Sequence, residues 1–309
     1  MRWSKGGLIY APDGSIRWAK SHAAYPTPFL LADGTLRIYL ASRDDHNVGR
    51  IGYIDVDPES PRRVLQVGRT PVLEPGALGS FDSQGLGPAT VLERSGRLYL
   101  YYFGFGVGTA GRYTMFSGLA LGGRDGLDFA RVSDTPILSP RADEPDLRSA
   151  PCVRSVEGGW TMWYVAGSGW TVSQGKAVPT YSIHRLDSAD GLRWVGEPRV
   201  AVSPLGSDEF ALGRPWVYDS PRGTRMVYSS RSHSKLYRMG WASTSDTVSW
   251  TRHDSEVGLD VSQSGWDSEM VCYGVVVSTR HATFMLYNGN GLGRSGVGYA
   301  TLEGDEDFH

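Results

Sequence analysis

One segment of this chain recurs about every 60 residues. Each copy has a polar or acidic approach, a pivot residue that is usually proline, a strand, a turn and a second strand rich in Tyr, Met and Leu. The copies are AAYPTPFLLADGTLRIYLASR, GLGPATVLERSGRLYLYYFG, RSAPCVRSVEGGWTMWYVAG, LGRPWVYDSPRGTRMVYSSR and MVCYGVVVSTRHATFMLYNGN. Their aligned pivots are Pro28, Pro88, Pro151, Pro215 and Tyr273. This period is too long for a helical solenoid and indicates a repeating β unit.

A third strand with small residues follows each copy, in RIGYIDVD, FSGLALG, YSIHRLD, YRMGWAS and GVGYATLE. Three copies continue into an Asp-containing turn, GRDGLDF, SADGLRW or TSDTVSW, and we expect GRDG and SADG to be structural turns. A fourth strand is visible in FARVSDTPILSP and WTRHDSEVGLDVS. Four antiparallel strands in each of five repeats predict an all-β fold, a five-bladed β-propeller.

The fifth repeat ends after its third strand, GVGYATLE. The N-terminal RWSKGGLIYAP resembles the fourth strands FARVSDTPILSP and VLQVGRTPVLEP, so we expect the N-terminal strand to complete the last blade and leave no open sheet edge. No long helical pattern or Pro/Ser linker divides the chain, which predicts one domain over residues 1–309. Two stacked β-sandwiches would also have short strands and turns, but they do not account for the period.

Composition limits the partners and the location. A formal net charge of -2 without a basic stripe argues against nucleic acid. The N-terminus lacks the apolar run of a signal peptide, and no stretch is long enough to span a bilayer, so we expect a cytoplasmic protein with no membrane partner. Cys152 and Cys272 have no metal-ligand spacing and are expected in the core. We therefore predict no cofactor and assign no metal ligand, although an axial metal ion bound by His22 and nearby carboxylates stays open.

Acidic residues recur just before the first strand of the repeats, where a propeller has one mouth of its central channel. Six residues before the pivots stand His22, Asp82, Glu209 and Asp267, and the third repeat has Pro145 between Glu144 and Asp146. Glu269 follows in GWDSEMVCYG. The pattern predicts a ring of acids around one pocket. Each acid has an alternative as a turn cap or a solvated loop residue.

Crowded carboxylates cannot all ionise freely, so the pKa of one rises while that of another stays low. Cleavage of a glycosidic bond needs this combination of a protonated acid and an ionised base or nucleophile. The interpretation assigns the acid and base pair to Glu209 with Asp267 or Glu269, and a supporting role to Asp82.

Other side chains suit the binding of a polar, ring-shaped substrate. Arg214 directly precedes a strand that we expect to be buried, where a guanidinium requires an anionic partner. Aromatic side chains offer flat faces for sugar rings, although Trp266 suits core packing equally well. The predicted substrate-binding residues are His22, Tyr25, Arg43, Glu144, Trp170, Arg214, Arg231 and Trp266.

The repeats SHAAYPTPFLLADGTLRIYLASRD, GPATVLERSGRLYLYYFG, SAPCVRSVEGGWTMWYVAG and GWDSEMVCYG resemble the five-bladed glycoside hydrolase clan of arabinanases, xylosidases, invertases and levansucrases. The resemblance spans nearly the whole chain and is greatest to stand-alone bacterial propellers that accompany surface-polysaccharide genes. In that clan the catalytic acids lie at the inner strands of the first three blades. Here the first repeat reads SHAAYPTP and the third RSAP, so the usual triad has no direct equivalents.

Three functions follow from these observations. The preferred one is a carbohydrate-active enzyme that cleaves or transfers a glycosyl group, with a small carbohydrate or activated sugar as substrate. The second is a non-catalytic propeller that binds a glycan or nucleotide sugar, which the missing acid of the first repeat favours. The third is a protein-interaction propeller, which would not need acids gathered at one mouth.

Overall fold

The computed structural model describes residues 1–108 and 112–304, and most of its regular structure is β-strand. The first ten strands are β1 (Trp3–Tyr10), β2 (Ser21–Leu30), β3 (Leu36–Arg43), β4 (Gly49–Val56), β5 (Val64–Val67), β6 (Leu86–Arg94), β7 (Arg97–Val107), β8 (Tyr113–Gly122), β9 (Phe129–Arg131) and β10 (Leu147–Val156). The next ten are β11 (Gly159–Ser173), β12 (Lys176–Ser188), β13 (Arg199–Val202), β14 (Glu209–Ser220), β15 (Gly223–Ser232), β16 (Arg238–Thr244), β17 (Thr251–Arg252), β18 (Cys272–Ser278), β19 (Thr283–Asn288) and β20 (Val297–Leu302). A 3₁₀ turn at Asp254–Glu256 and a helical turn at Asn290–Gly293 are the helical elements of this described part.

Antiparallel pairing groups the strands into four-stranded units that follow the sequence repeat. Units one to four are β2 to β5, β6 to β9, β10 to β13 and β14 to β17. Unit five consists of β18, β19 and β20 together with β1. The N-terminal strand pairs with β20 from Trp3 opposite Leu302 to Tyr10 opposite Val297.

The hydrogen-bonded sheets do not coincide with the five units. Parallel bridges, Leu147 with Met115 and Tyr181 with Ala211, join units two, three and four into one 12-stranded sheet. Units one and five are separate four-stranded sheets. The sheets described here therefore do not close into a hydrogen-bonded ring, and a closed ring of five blades stays a prediction.

Side-chain packing connects each unit to the next. One buried apolar cluster contains Tyr39 of unit one and Leu100 of unit two, and similar clusters join units two to three, three to four and four to five. Another cluster joins unit five to unit one through Leu286 and Ile38, both fully buried. A sixth cluster contains residues of all five units, including Tyr25 and Tyr273.

The Asp-containing turns are structural, as the sequence predicts. Asp190 accepts hydrogen bonds from two backbone N–H groups of its own turn, each at 2.8 Å. The carbonyl of Gly191 in that turn accepts a bond from the Tyr101 hydroxyl of unit two at 2.7 Å. In GRDG the carbonyl of Gly126 accepts one from the Tyr39 hydroxyl of unit one at 3.0 Å. Each of these turns therefore forms a hydrogen bond between its own unit and the preceding one.

The first strand of every unit contains a register shift. At four of these bulges a non-glycine residue adopts a left-handed backbone, at Tyr25 (φ 59°), Ala150 (φ 49°), Arg214 (φ 54°) and Tyr273 (φ 57°). Bulges redirect side chains, and left-handed non-glycine residues are strained positions that concentrate at functional sites.

The bulges correct the alignment of the first repeat. Proline directly follows the left-handed residue in Ala150-Pro151 and Arg214-Pro215, and the equivalent pair in unit one is Tyr25-Pro26. The predicted pivot Pro28 is therefore displaced by two residues, and the fifth pivot, Tyr273, by one, because Tyr273 is itself the left-handed residue. The segment YPTP contains two prolines, Pro26 and Pro28, both within β2, and only the bulge shows which of them is equivalent to Pro151 and Pro215.

Candidate functional site

A cavity of about 490 Å³ lies against the bulges of the first strands. This volume suits a small organic ligand. Tyr25, Ala150, Arg214 and Tyr273 all line it, together with residues from every unit. We call it the central pocket; its polar and aromatic lining residues are Tyr25, Arg43, Asn47, Gln84, Phe103, Phe105, Tyr113, Ser149, Tyr181, Arg214, Arg231, Tyr237 and Tyr273.

Arg214 is the most buried charged residue in the described lining of the pocket. It is 2% exposed, and its guanidinium donates to the carbonyls of Ala89 (2.7 Å) and Pro26 (2.9 Å) and to the hydroxyl of Thr27 (2.7 Å). Its Nε has no partner. Burial lowers the pKa of Arg214 to about 10, so the group remains charged at neutral pH. The predicted burial of this residue is confirmed, but its described partners are neutral oxygens rather than an anion.

Five tyrosines surround the pocket. The hydroxyls of Tyr181 and Tyr237 are 2.6 Å apart, and the rings of Tyr25 and Tyr273 lie 4.5 Å apart between centroids. Burial raises the pKa of Tyr25 and raises that of Tyr237 to about 12. These hydroxyls therefore stay protonated and can both donate and accept hydrogen bonds.

The predicted acids do not line this pocket in the part of the chain that the structure describes. Asp82, fully buried, accepts bonds from Arg131 Nε (2.8 Å), the Tyr102 hydroxyl (3.1 Å) and the Ser80 hydroxyl (2.8 Å). Asp267, 1% exposed, is bound by Lys5 Nζ (2.7 Å) and the Tyr287 hydroxyl (2.9 Å).

Glu144 and Glu209 have the same kind of surroundings. Glu144 pairs with Arg148 at 2.6 Å and accepts bonds from the Tyr164 hydroxyl and His184. Glu209 makes a bidentate ion pair with Arg252, at 2.7 and 2.9 Å, and lines a second cavity rather than the central pocket. These four carboxylates are each held by a cation within their own unit and do not line the central pocket, so the predicted gathering of the acids around one pocket stays a prediction.

These contacts also determine the protonation of the acids. Burial alone would raise the pKa of Glu144, Glu209 and Asp267, but hydrogen bonds and positive charges outweigh it and lower all three. The responsible donors include His184 for Glu144, Arg252 for Glu209 and Lys5 for Asp267. A general acid must hold a proton near neutral pH, and these carboxylates are ionised there.

The remaining predicted residues divide between the pocket and its surroundings. Tyr25, Arg43, Arg214 and Arg231 line the pocket. Trp266 stacks on Tyr287 in an apolar cluster, so its alternative as a packing residue is the observed one. Three predicted residues, His22, Trp170 and Glu269, are not in the described lining. The indole N–H of Trp170 donates to Asp146 at 2.8 Å, and Glu269 is exposed.

Sequence reasoning missed four of the five pocket tyrosines as site residues, namely Tyr113, Tyr181, Tyr237 and Tyr273. The signal was present for two of them, because Tyr113 begins a third strand in RYTMFSG and Tyr237 directly precedes one in LYRMGWAS. Tyr181 lies in the middle of β12. A second overlooked pattern is the spacing of 20 residues between an acid and the tyrosine that donates a hydrogen bond to it, as in Asp82 with Tyr102.

His22 gives the fold a testable pH dependence. Burial, followed by the charges of Arg43 and Arg294, lowers its pKa from 6.5 to about 4. A histidine with a lowered folded-state pKa contributes stability above pH 6.5 that is lost as the pH falls toward 4. The free energy of unfolding of the wild type should decrease from pH 7 to pH 4.5. We expect this decrease to be smaller in His22→Gln by about 1 to 2 kcal/mol, after discounting for solvent screening.

Urea unfolding of both proteins at the two pH values measures this difference. The matched control is His46→Gln, at an exposed loop position. Equal pH dependence of wild type and His22→Gln would contradict the expectation.

Within residues 1–108 and 112–304, no group of three or more His, Cys, Asp or Glu side chains is arranged to hold a metal ion. A helix long and apolar enough to cross a membrane is also absent from this described part.

No protein-family model matches the chain. Over 303 residues it is 34% identical to the "Uncharacterized protein Rv1502" of Mycobacterium tuberculosis strain H37Rv, covering 98% of this chain and 100% of that one. The "Uncharacterized protein MT1551" of strain CDC 1551 matches at the same identity and coverage.

Solved structures share the fold at low sequence identity. One described as "Glycoside hydrolase" has a TM-score of 0.74 at 19% identity, over 97% of this chain and 92% of that chain. An α-L-arabinofuranosidase from Lactobacillus brevis has a TM-score of 0.69 at 12% identity, over 93% and 92%. The fold is therefore that of the glycoside hydrolase-like propellers, and the expected resemblance is confirmed at the level of the fold.

Proposed function

The chain belongs to the same family as the Mycobacterium tuberculosis protein Rv1502, and we propose that it is a carbohydrate-binding propeller whose central pocket holds a sugar. The observation that carries this proposal is the lining of the pocket. Aromatic faces and tyrosine hydroxyls from several units surround about 490 Å³, whereas Asp82, Glu209 and Asp267, three of the four carboxylates expected to perform catalysis, lie in ion pairs outside the described pocket lining.

The proposal includes the architecture. Residues 1–309 form one domain of five blades with four antiparallel strands each, and β1 completes the last blade. Support comes from the pairing of β1 with β20 and from the apolar cluster between units five and one. The pocket then lies at one end of the propeller axis.

The chemistry of the pocket suits a sugar. Sugar rings present C–H faces that pack on aromatic rings, and hydroxyls that both donate and accept hydrogen bonds. Tyrosine supplies both kinds of contact. Tyr113, which is 40% exposed, packs edge-on against Trp170 at 5.8 Å between ring centroids, so this pair offers an aromatic edge to an entering sugar.

Tyr113→Ala tests this proposal. We expect the affinity for a bound sugar to fall about tenfold, or ~1.4 kcal/mol, because an aromatic contact is lost. A glycan array identifies ligands of the wild type, and titration calorimetry measures both proteins. Tyr99→Ala is the control, because Tyr99 lies on the neighbouring strand and packs on Trp160 instead. The proposal fails if no carbohydrate binds, or if Tyr113→Ala binds as tightly as wild type.

The second candidate is a carbohydrate-active enzyme, and the glycoside hydrolase structures with this fold favour it. The predicted roles for Asp82, Glu209, Asp267 and Glu269 belong to this candidate. It requires a substrate site beside these acids, since their described contacts lie away from the pocket lining. Turnover of a glycoside panel that is lost in Asp267→Asn or Glu269→Gln, with sugar binding retained, would favour it over binding alone.

In either case the proposed partner is a small carbohydrate or activated sugar rather than nucleic acid or membrane. A cytoplasmic location and a role in polysaccharide biosynthesis are further proposals. Cell fractionation and the surface-polysaccharide profile of a deletion strain test them.

A further inference from the structure

The central pocket carries positive charge that its own lining does not neutralise. Arg43, Arg214 and Arg231 all line it, and among the described lining residues there is no Asp or Glu. A guanidinium withdrawn from water is stabilised by an anionic partner, and a cleft with charges of one sign attracts ligands of the other.

We propose that the sugar held in the central pocket carries an anionic group, a carboxylate or a phosphate, and that Arg43 and Arg231 bind this group above the buried Arg214. This inference rests on the proposed carbohydrate-binding function and specifies the class of its ligand.

The side chain of Arg231 is positioned to bind an anionic group. Its guanidinium lies over the rings of Phe210 (5.2 Å) and Tyr237 (5.5 Å). Stacking on aromatic faces leaves the N–H edge of a guanidinium available for hydrogen bonds. Within residues 1–108 and 112–304, no carboxylate forms an ion pair with Arg231 and no acceptor is hydrogen-bonded to its side chain. Its charge and donors are therefore open to a ligand.

Arg43 reaches the pocket from unit one with its charge also uncompensated. Its guanidinium donates to the side-chain carbonyl of Asn47 at 2.9 Å, which positions it without neutralising it. The adjacent acid, Asp44, is ion-paired with Arg50 at 2.6 Å instead. No described carboxylate makes a salt bridge to Arg43.

Arg214 contributes through its charge rather than through free donors. Two backbone carbonyls and one hydroxyl occupy its terminal nitrogens, and only the buried Nε remains without a partner. A buried guanidinium with neutral partners projects a positive potential, because little water is present to screen it. An anion between the other two arginines would stabilise this charge without touching it.

Carboxylate and phosphate share the acceptor geometry that guanidinium groups recognise. A uronic acid supplies the first and a sugar phosphate or nucleotide sugar the second. Titration calorimetry with matched monosaccharides in several configurations separates them, using the neutral hexose, its uronate and its 1-phosphate. Inorganic phosphate alone measures what the anion contributes without a sugar.

We expect at least one acidic sugar to bind ten or more times more tightly than its neutral partner. Higher salt should reduce this preference, because Arg43 and Arg231 are partly exposed. Arg231→Gln should weaken binding of the acidic sugar about 10- to 100-fold and should weaken it more than binding of the neutral sugar, so that the preference for the acidic sugar falls. Arg43→Gln should act in the same direction.

Arg94→Gln is the matched control, since it removes the same charge at an exposed position outside the pocket. Near-ultraviolet circular dichroism verifies that each variant is folded. Equal binding of neutral and acidic sugars overturns this inference and leaves the carbohydrate proposal intact. If inorganic phosphate binds as tightly as the sugar phosphates, the anion site is supported and the proposal that the pocket recognises a sugar is overturned. The absence of binding by every probe overturns both.

Discussion

Deletion of residues 1–10 is expected to lower the melting temperature of the protein by about 10 °C or more. The deletion removes the buried side chains of Trp3 and Ile9, each worth about 2 kcal/mol in apolar burial. It also removes Lys5 and leaves the carboxylate of Asp267 buried without its cation, which costs a few kcal/mol. A sum of about 7 kcal/mol corresponds to roughly 10 °C in a chain of this size.

A circular permutant is the matched control. Leu302 stands opposite Trp3, so a short Gly/Ser linker from residue 304 to residue 1 converts β20 and β1 into a hairpin. New termini fit the exposed turn at residues 32–34. Differential scanning calorimetry should show the permutant near wild-type stability and the deletion far below it. A deletion variant as stable as wild type would contradict closure of the ring by β1.

The repeat made the strand arrangement predictable. Its period located four strands in each unit, and the likeness of RWSKGGLIYAP to the fourth strands indicated the pairing that β1 makes with β20. Periodicity is informative here because strands alternate buried and exposed side chains and the turns use Asp and Gly. The parallel bridges between units were not predictable, because they depend on only one or two residue pairs each.

The acids were predicted at equivalent positions but with the wrong surroundings. Asp82 and Asp267 do occupy corresponding places, since each accepts a bond from a tyrosine 20 residues later. A sequence position before a strand does not reveal the direction in which the side chain points. Here both carboxylates are bound by cations on the fourth strands, Arg131 in β9 and Lys5 in β1.

The pocket residues were partly predictable for a related reason. Arg214 was singled out because it precedes a strand expected to be buried, and Tyr25 because an aromatic ring can stack on a sugar. Their left-handed backbone, which directs them into the pocket, depends on bulges that no local pattern specifies. Arg231 was recognised as a candidate, but its lack of a carboxylate partner is visible only in the folded chain.

Asp82→Asn should destabilise the protein by about 3 kcal/mol and leave sugar binding by the folded protein unchanged. Asp82 is fully buried, and three side chains donate to it, including Arg131 at 2.8 Å. Removal of one partner of a buried ion pair leaves the other charge uncompensated, which typically costs 3 to 5 kcal/mol, and the lower value applies because Arg131 is 18% exposed. Urea unfolding measures the change, and Asp134→Asn at an exposed position nearby should show no measurable effect.

A double-mutant cycle distinguishes a structural role of Asp82 from a catalytic one. If the carboxylate serves mainly to hold Arg131, then Asp82→Asn with Arg131→Met should be more stable than Asp82→Asn alone, because the unpaired charge is gone. The same comparison fits the other acids, since Asp267 is paired with Lys5 in an equivalent way. Additive losses in the cycle would show that the contribution of Asp82 does not depend on Arg131. Weaker sugar binding by folded Asp82→Asn would show that the carboxylate also acts on the ligand site. Coupled losses with unchanged affinity would mean that the recurring acids stabilise the units and that ligand recognition belongs to the arginines and tyrosines of the pocket.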